Sequence, residues 1–171
     1  MKEIDVGFTH VAFVVRDLEK SIDFYSRYAG MEVVHRREPD LPEARKVAWL
    51  SDLTRPFALV LVQVDAVTDT PLGNFGHLGV ACSSIEEIDN KVAKARMEGI
   101  LRKEPAQAGE PVGYYVFFAD PDGNTLELSY GQKVGIEALR QDERVPASQC
   151  ISIIGWITLR FGNASCRFRA C

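Results

Sequence analysis

Between Phe8 and Gly30 the chain reads FTHVAFVVRDLEKSIDFYSRYAG, a short apolar stretch followed by residues whose apolar members recur at helical spacing. Val11, Phe13 and Val15 alternate with His10, Ala12 and Val14, the period of a strand with two distinct faces. Asp17 then caps a helix whose apolar face includes Leu18, Ile22, Tyr25 and Tyr28, and Gly30 stops it. Residues 75–95, FGHLGVACSSIEEIDNKVAKA, repeat this order of strand, cap and helix. Ser84 with Glu87 predicts a capping box, Ile85, Ile88 and Val92 an apolar stripe, and Gly99 the stop. The two histidines coincide, His77 lying 67 residues after His10.

The same offset places PFALVLVQV (56–64) over GNTLELSYG (123–131) as the last strand of each half. Two further strands fit between helix and last strand: Glu32–Arg36 and Ala44–Ser51 first, then Ile100–Lys103 and Tyr114–Ala119. ADPDGN (119–124) is a turn signal feeding the final strand, and the polar RKEPAQAGEPVG (102–113) reads as a connector or a mobile loop over a site. The expected fold class is therefore α+β, with two βαβββ modules. The boundaries are 1–64 for the first module, 65–74 for a polar linker, 75–131 for the second module and 132–171 for a C-terminal extension.

Composition changes this picture little, except at the end of the chain. A net charge of −4 gives no reason to expect nucleic acid or an anionic membrane as partner. The first residues carry no apolar run of signal-peptide length, and no stretch approaches a membrane span, so a cytoplasmic protein is expected. Residues 146–171 differ in kind: they hold three of the four cysteines, three arginines and no acid. Their apolar run Ile151–Leu159 is an added strand or helix, or a peripheral extension, and nothing in it points to chemistry.

Strand alternation brings candidate chemistry to one side of the repeat. His10 shares its face with Ala12 and Val14, and His77 shares its own with Gly79 and Ala81. In the last strand Thr125, Glu127 and Ser129 lie opposite Leu126, Leu128 and Tyr130, which point towards the helix. His10, His77 and Glu127 thus occupy the less bulky side, where small neighbours leave room beside each imidazole. Two neutral imidazoles and one carboxylate are a donor set for a divalent metal ion (Fe2+, Mn2+, Zn2+ or Ni2+). Three protein ligands leave positions open for water or substrate, as in catalytic rather than structural sites. His35, beside Arg36 and Arg37, is expected at a solvated edge, outside this set.

THVAFVVRDLEKSIDFYSRYAGMEVV, GHLGVAC and DPDGNTLELSYG together resemble the vicinal oxygen chelate superfamily of glyoxalases, bleomycin-resistance proteins and extradiol dioxygenases. The likeness covers residues 8 to about 131. It implies paired βαβββ modules whose strands form a curved, cup-like mixed sheet around a metal, with helices outside. Carried over by position, the metal ligands are His10, His77 and Glu127, and a homodimer is the expected assembly. No subfamily is matched in full. Glyoxalase I-like lyases carry a fourth ligand where the repeat offset places Val60, and Gln63 would replace it only if turned inward. Extradiol enzymes have a tyrosine and a histidine base where Phe117 and Val62 stand. Fosfomycin thiol transferases have a threonine at the place of Ala12.

The expected function is a glyoxalase- or dioxygenase-like enzyme acting on a small substrate with vicinal oxygens. Ala12, Val60, Val62, Gly79, Phe117 and Ser129 are expected to line its pocket, and Tyr115 is a candidate catalytic hydroxyl at the rim. The rival expectation is a cup that sequesters a drug or metabolite without turnover, as bleomycin-binding relatives do. Trp49 is expected either in the core or as a wall of the pocket.

Overall fold

The computed structural model describes residues 7–38 and 45–133, together with the backbone of 159–161 and 164–166. The chain divides into two compact units, Met1–Lys133 and Val134–Cys171. In the first, β1 (His10–Val15), α1 (Leu18–Ala29), β2 (Glu32–Arg37), β3 (Val47–Ser51) and β4 (Ala58–Gln63) make one module. Then β5 (His77–Ala81), α2 (Ile85–Glu98), β6 (Leu101–Gln107), β7 (Tyr114–Ala119) and β8 (Thr125–Tyr130) make the other. In the second unit β9 (Leu159–Phe161) and β10 (Ala164–Cys166) pair antiparallel. The run 151–158 lies outside the described residues.

Each module is a four-stranded mixed sheet, ordered β1-β4-β3-β2 in the first and β5-β8-β7-β6 in the second. The registers repeat the sequence offset. His10 pairs with Ala58 and Ala12 with Val60; His77 pairs with Thr125 and Gly79 with Glu127, each 67 residues later. The offset drifts only in the middle of the module: α2 has 14 residues where α1 has 12, so the closing glycines Gly30 and Gly99 lie 69 apart. It is 68 at β3 and β7, where Trp49 lies across from Val60 and Phe117 across from Glu127.

The helices form where their caps and apolar stripes direct. Asp17 accepts from the Lys20 amide and Ser84 from the Glu87 amide, satisfying donors that the first turn leaves unpaired. Gly30 and Gly99 close the helices at φ 65° and 70°, the left-handed region that favours glycine. Two details depart from expectation. The Glu87 carboxylate accepts from the backbone amide and hydroxyl of Ser83, one residue short of a capping box. Ile85 is exposed at the first turn, so the buried stripe of α2 is Ile88, Val92 and Ala95.

One core joins the modules. Phe13, Val15, Leu50, Leu59 and Leu61 pack on Leu18, Phe24, Tyr25 and Tyr28, continuous with Ile88, Val92, Val116, Phe118, Leu126 and Leu128. Tyr28 meets Phe118 edge-on, with ring centroids 5.2 Å apart. The buried Tyr25 hydroxyl donates to Asp120 Oδ2 at 2.8 Å, and burial beside that carboxylate pushes the phenol well above its ordinary value. The other Asp120 oxygen accepts the amides of Asp122 and Asn124, the Asp122 carboxylate accepts the Arg16 amide, and Asn124 Oδ1 accepts the Leu72 amide. The DPDGN turn is thus a polar clamp holding the first module and the linker, beyond its role in reversing the chain.

The first half of segment 102–113 is strand, within β6. Pro105 lies within β6, which tolerates a residue without an N–H because β6 is a sheet edge and bulged on both sides of Lys103. The remaining hairpin loop is tied down: Ala108 donates to the Gly113 carbonyl and Lys133 to that of Pro111. Gly113, at φ 78°, has room for no side chain, since a Cβ would stand 2.4 Å from the Tyr130 carbonyl oxygen. Tyr130, at the end of β8, is exposed instead of facing the helix. No helix among the described residues is long and apolar enough to cross a membrane.

Candidate metal centre

Directly paired residues on neighbouring strands share a sheet face, so the registers define rows across each module. In the second module one row runs Gly79, Glu127, Phe117, Lys103. The corresponding row in the first runs Ala12, Val60, Trp49, His35. Both lie on the face away from the helices, since Leu59, Leu61, Leu126 and Leu128 occupy the core and Val60 and Glu127 stand between them.

Val60 is buried and paired with Ala12 and Trp49 on this face. Val62, one step along, pairs with Val14 and Val47. The first module therefore presents an apolar wall, with Trp49 stacked against His35 at 4.9 Å between centroids. His35 is exposed on edge strand β2. Gln63 is committed elsewhere: its Oε1 accepts the Leu18 amide at the start of α1.

The second module turns the same row into a polar constellation. Glu127 is only 6% exposed, and its Oε2 lies 3.3 Å from His77 Nε2. His77 Nδ1 lies 3.0 Å from the Phe75 carbonyl oxygen. A carbonyl only accepts, so Nδ1 donates, which leaves Nε2 as the ring nitrogen that faces the carboxylate. Gly76 permits this arrangement, because a Cβ there would stand 2.1 Å from the Leu72 carbonyl oxygen. Glu127 Oε1 accepts from Gln132 Nε2 at 3.2 Å, and Ser129 Oγ donates to Gln132 Oε1 at 3.4 Å. Phe117 packs beside the pair, its ring centroid 5.8 Å from that of His77.

Two of the three candidate ligands are thus brought together by the chain. His10 is exposed at the head of β1, its Nδ1 3.0 Å from Thr9 Oγ1. Among the described residues, no three His, Cys, Asp or Glu side chains of one chain gather as a metal site. Tyr115 shares the face, paired with Ser129 and linked to Lys103 by a hydrogen bond from the ammonium. Cys82, just past β5, is half-buried and its thiol is pushed up to about 11 by desolvation, which keeps it protonated and weakly nucleophilic.

Gln132 and Lys103 were not among the sequence candidates. Gln132 follows the left-handed Gly131 and lies outside any strand period, so alternation could not place it. Lys103 lies within the segment whose prolines and glycines read as a connector.

Residues 7–128 match the Glyoxalase/Bleomycin resistance protein/Dioxygenase superfamily. The chain belongs to that superfamily. It is similar to the uncharacterized protein PA2024 of Pseudomonas aeruginosa, 33% identical over 129 residues, which make 74% of this chain and 90% of that one. It is also 31% identical over 126 residues to lactoylglutathione lyase GLX1 of Arabidopsis thaliana, covering 71% of this chain but only 43% of that longer protein. Among solved structures, the fosfomycin resistance protein FosX of Listeria monocytogenes, complexed with Mn(II) and sulfate, aligns with a TM-score of 0.58. That match covers 80% of this chain and 99% of FosX at 18% identity, and it reports on the fold alone.

Proposed function

We propose that this superfamily member is a divalent-metal-dependent enzyme acting on a small substrate with vicinal oxygens, such as an α-hydroxyketone, a hemithioacetal or a catechol. The metal is held by His77 and Glu127 of one copy and His10 of a second copy in a homodimer.

The His77–Glu127 pair carries this reading. His77 Nε2 and a Glu127 carboxylate oxygen face each other at 3.3 Å. Atoms so placed need a proton or a cation between them, and the carboxylate is too buried to be relieved by solvent. A divalent cation satisfies both, and the hydrogen bonds from Gln132 to Glu127 and from His77 to the Phe75 carbonyl orient the two ligands as metal sites require.

A second copy is supported by what the sheets leave open. Strands β1 and β5 are sheet edges, and each is preceded by an exposed phenylalanine at the repeat offset, Phe8 at 96% and Phe75 at 86%. Paired edges flanked by apolar side chains are covered in stable proteins, and a second copy presents the complementary edge.

When bound, the ion would supply Lewis acidity to two neighbouring substrate oxygens and stabilise developing negative charge. The chain's own residues set the surroundings. Phe117 walls one side of the His77–Glu127 pair, and Val60, Val62 and Trp49 form the apolar face that accompanies His10, which excludes water and strengthens electrostatic interactions. Ala12, Gly79 and Ser129 leave space for the substrate, and no fourth ligand competes for it from position 60.

Titration of metal-free protein with Mn2+, Fe2+, Zn2+ and Ni2+, followed by an activity screen on hemithioacetals and catechols, tests the proposal. Glu127→Ala is expected to weaken metal binding at least 100-fold, while His35→Ala leaves it within about twofold, as expected for a ligand and a non-ligand. Equal affinities in the two variants would overturn the ligand assignment. Tight small-molecule binding without metal or turnover would overturn the enzyme reading.

A further inference from the structure

Lys103 stands at the end of the row that carries Glu127, two strands away and so about 10 Å along the sheet. Its ammonium donates to the Tyr115 hydroxyl and lies 4.3 Å from the Tyr115 ring centroid and 5.5 Å from that of Phe117. Since Phe117 stacks 5.8 Å from His77, the ammonium is within about 11 Å of the imidazole. No carboxylate among the described residues pairs with Lys103. A cation therefore lies on the same face as the candidate metal ligands with no counter-ion among the described residues.

The donor count gives this cation a use. One ammonium proton goes to Tyr115, leaving two unassigned. The Tyr115 oxygen, having accepted from Lys103, keeps its own proton to donate. Contact with two aromatic faces replaces part of the ammonium's hydration, which lowers the cost of pairing it with an anion. We infer that Lys103 and Tyr115 form an oxyanion subsite, so that the enzyme selects small substrates carrying an oxyacid group on the same molecule as the vicinal oxygens. The inference rests on the His77–Glu127 face being the substrate site. A purely structural lysine, lying across the rings to cover them, would owe its role to its methylenes rather than its charge.

Two arms separate the possibilities. In metal-free protein, NMR titrations with acetate and with inorganic phosphate are expected to shift the Tyr115 and Lys103 resonances saturably. Lys103→Met, which keeps the methylene cover, is expected to weaken both anions at least tenfold, with an unchanged melting temperature. Lys103→Arg is expected to remain within about threefold of wild type, and Tyr115→Phe to fall between the two. In Mn(II)-loaded protein, glycerate is expected to bind at least tenfold more tightly than neutral glyceramide, a preference that Lys103→Met reduces below threefold. Anion affinities unchanged in Lys103→Met would overturn the subsite. If wild-type protein takes up no metal while the Lys103-dependent anion response persists, the metal reading fails and the subsite stands.

Discussion

Gln132→Ala isolates what the orientation of the Glu127 carboxylate contributes. In wild type, Gln132 Nε2 donates to Glu127 Oε1 at 3.2 Å while Oε2 faces His77. Removing the amide leaves a carboxylate oxygen unpaired on a residue only 6% exposed. A hydrogen bond to a charged group contributes about 1.5–3 kcal/mol, and the long distance here favours the lower end, about 1.5 kcal/mol. For a domain of this size that corresponds to a fall of roughly 3–6 °C in the melting temperature of metal-free protein. The carboxylate also gains freedom to rotate away from the imidazole, and loss of a bond that orients a ligand weakens metal binding about 10- to 100-fold. Calorimetric titration with Mn(II) and thermal melts with and without chelator measure both quantities on one preparation. A variant that melts lower yet binds metal as wild type would refute the orienting role. One unchanged in both would show that the bond is not made.

Val60→Glu places a carboxylate where the repeat puts the counterpart of Glu127; metal affinity is expected to rise at least tenfold. The metal-free form is expected to lose about 1–3 kcal/mol from the buried charge, read in urea melts with and without metal. Weaker metal binding would show that Val60 does not face the ion. The pH dependence of stability has a local component at Glu87, whose carboxyl is held down at about 2 by Lys91 and then by the amide and hydroxyl of Ser83. Its folded-state value is depressed, so its stabilisation is present above the ordinary 4.5 and is lost as pH falls through about 2. Glu87→Gln is expected to flatten the urea midpoint against pH between 5 and 2. Parallel curves for the two proteins would contradict this.

The repeat was legible because it is written in pairing partners: one offset of 67 aligns N-caps, histidines and terminal strands, and the registers of β1–β4 and β5–β8 preserve it. Strand alternation also placed Val60 and Glu127 on the face away from the helices, because core leucines on either side fix the phase. What failed to show was set by tertiary context. Pro105 argues against a strand until β6 is known to be an edge, and Ile85 fits a helical stripe but falls on the first turn, beyond the sheet's cover. Gln132 reaches Glu127 only because Gly131 turns the chain back past the end of β8. The separation of His10 from the other two ligands leaves no trace in periodicity, since alternation reports which face a residue takes and not which sheet closes over it.

The claim that a metal site is shared between copies is tested most directly by mixing two defective proteins. Glu127→Ala and His10→Ala homodimers each lack one ligand in both sites and are expected to bind metal poorly and to be inactive. After subunit exchange, half of the dimers are heterodimers at statistical mixing, and each regenerates one site with all three wild-type ligands. Tight metal binding is expected to return at about one quarter of all sites, with any activity on vicinal-oxygen substrates returning in proportion. A mixture that has exchanged subunits and still binds no more metal than its separate components would contradict it.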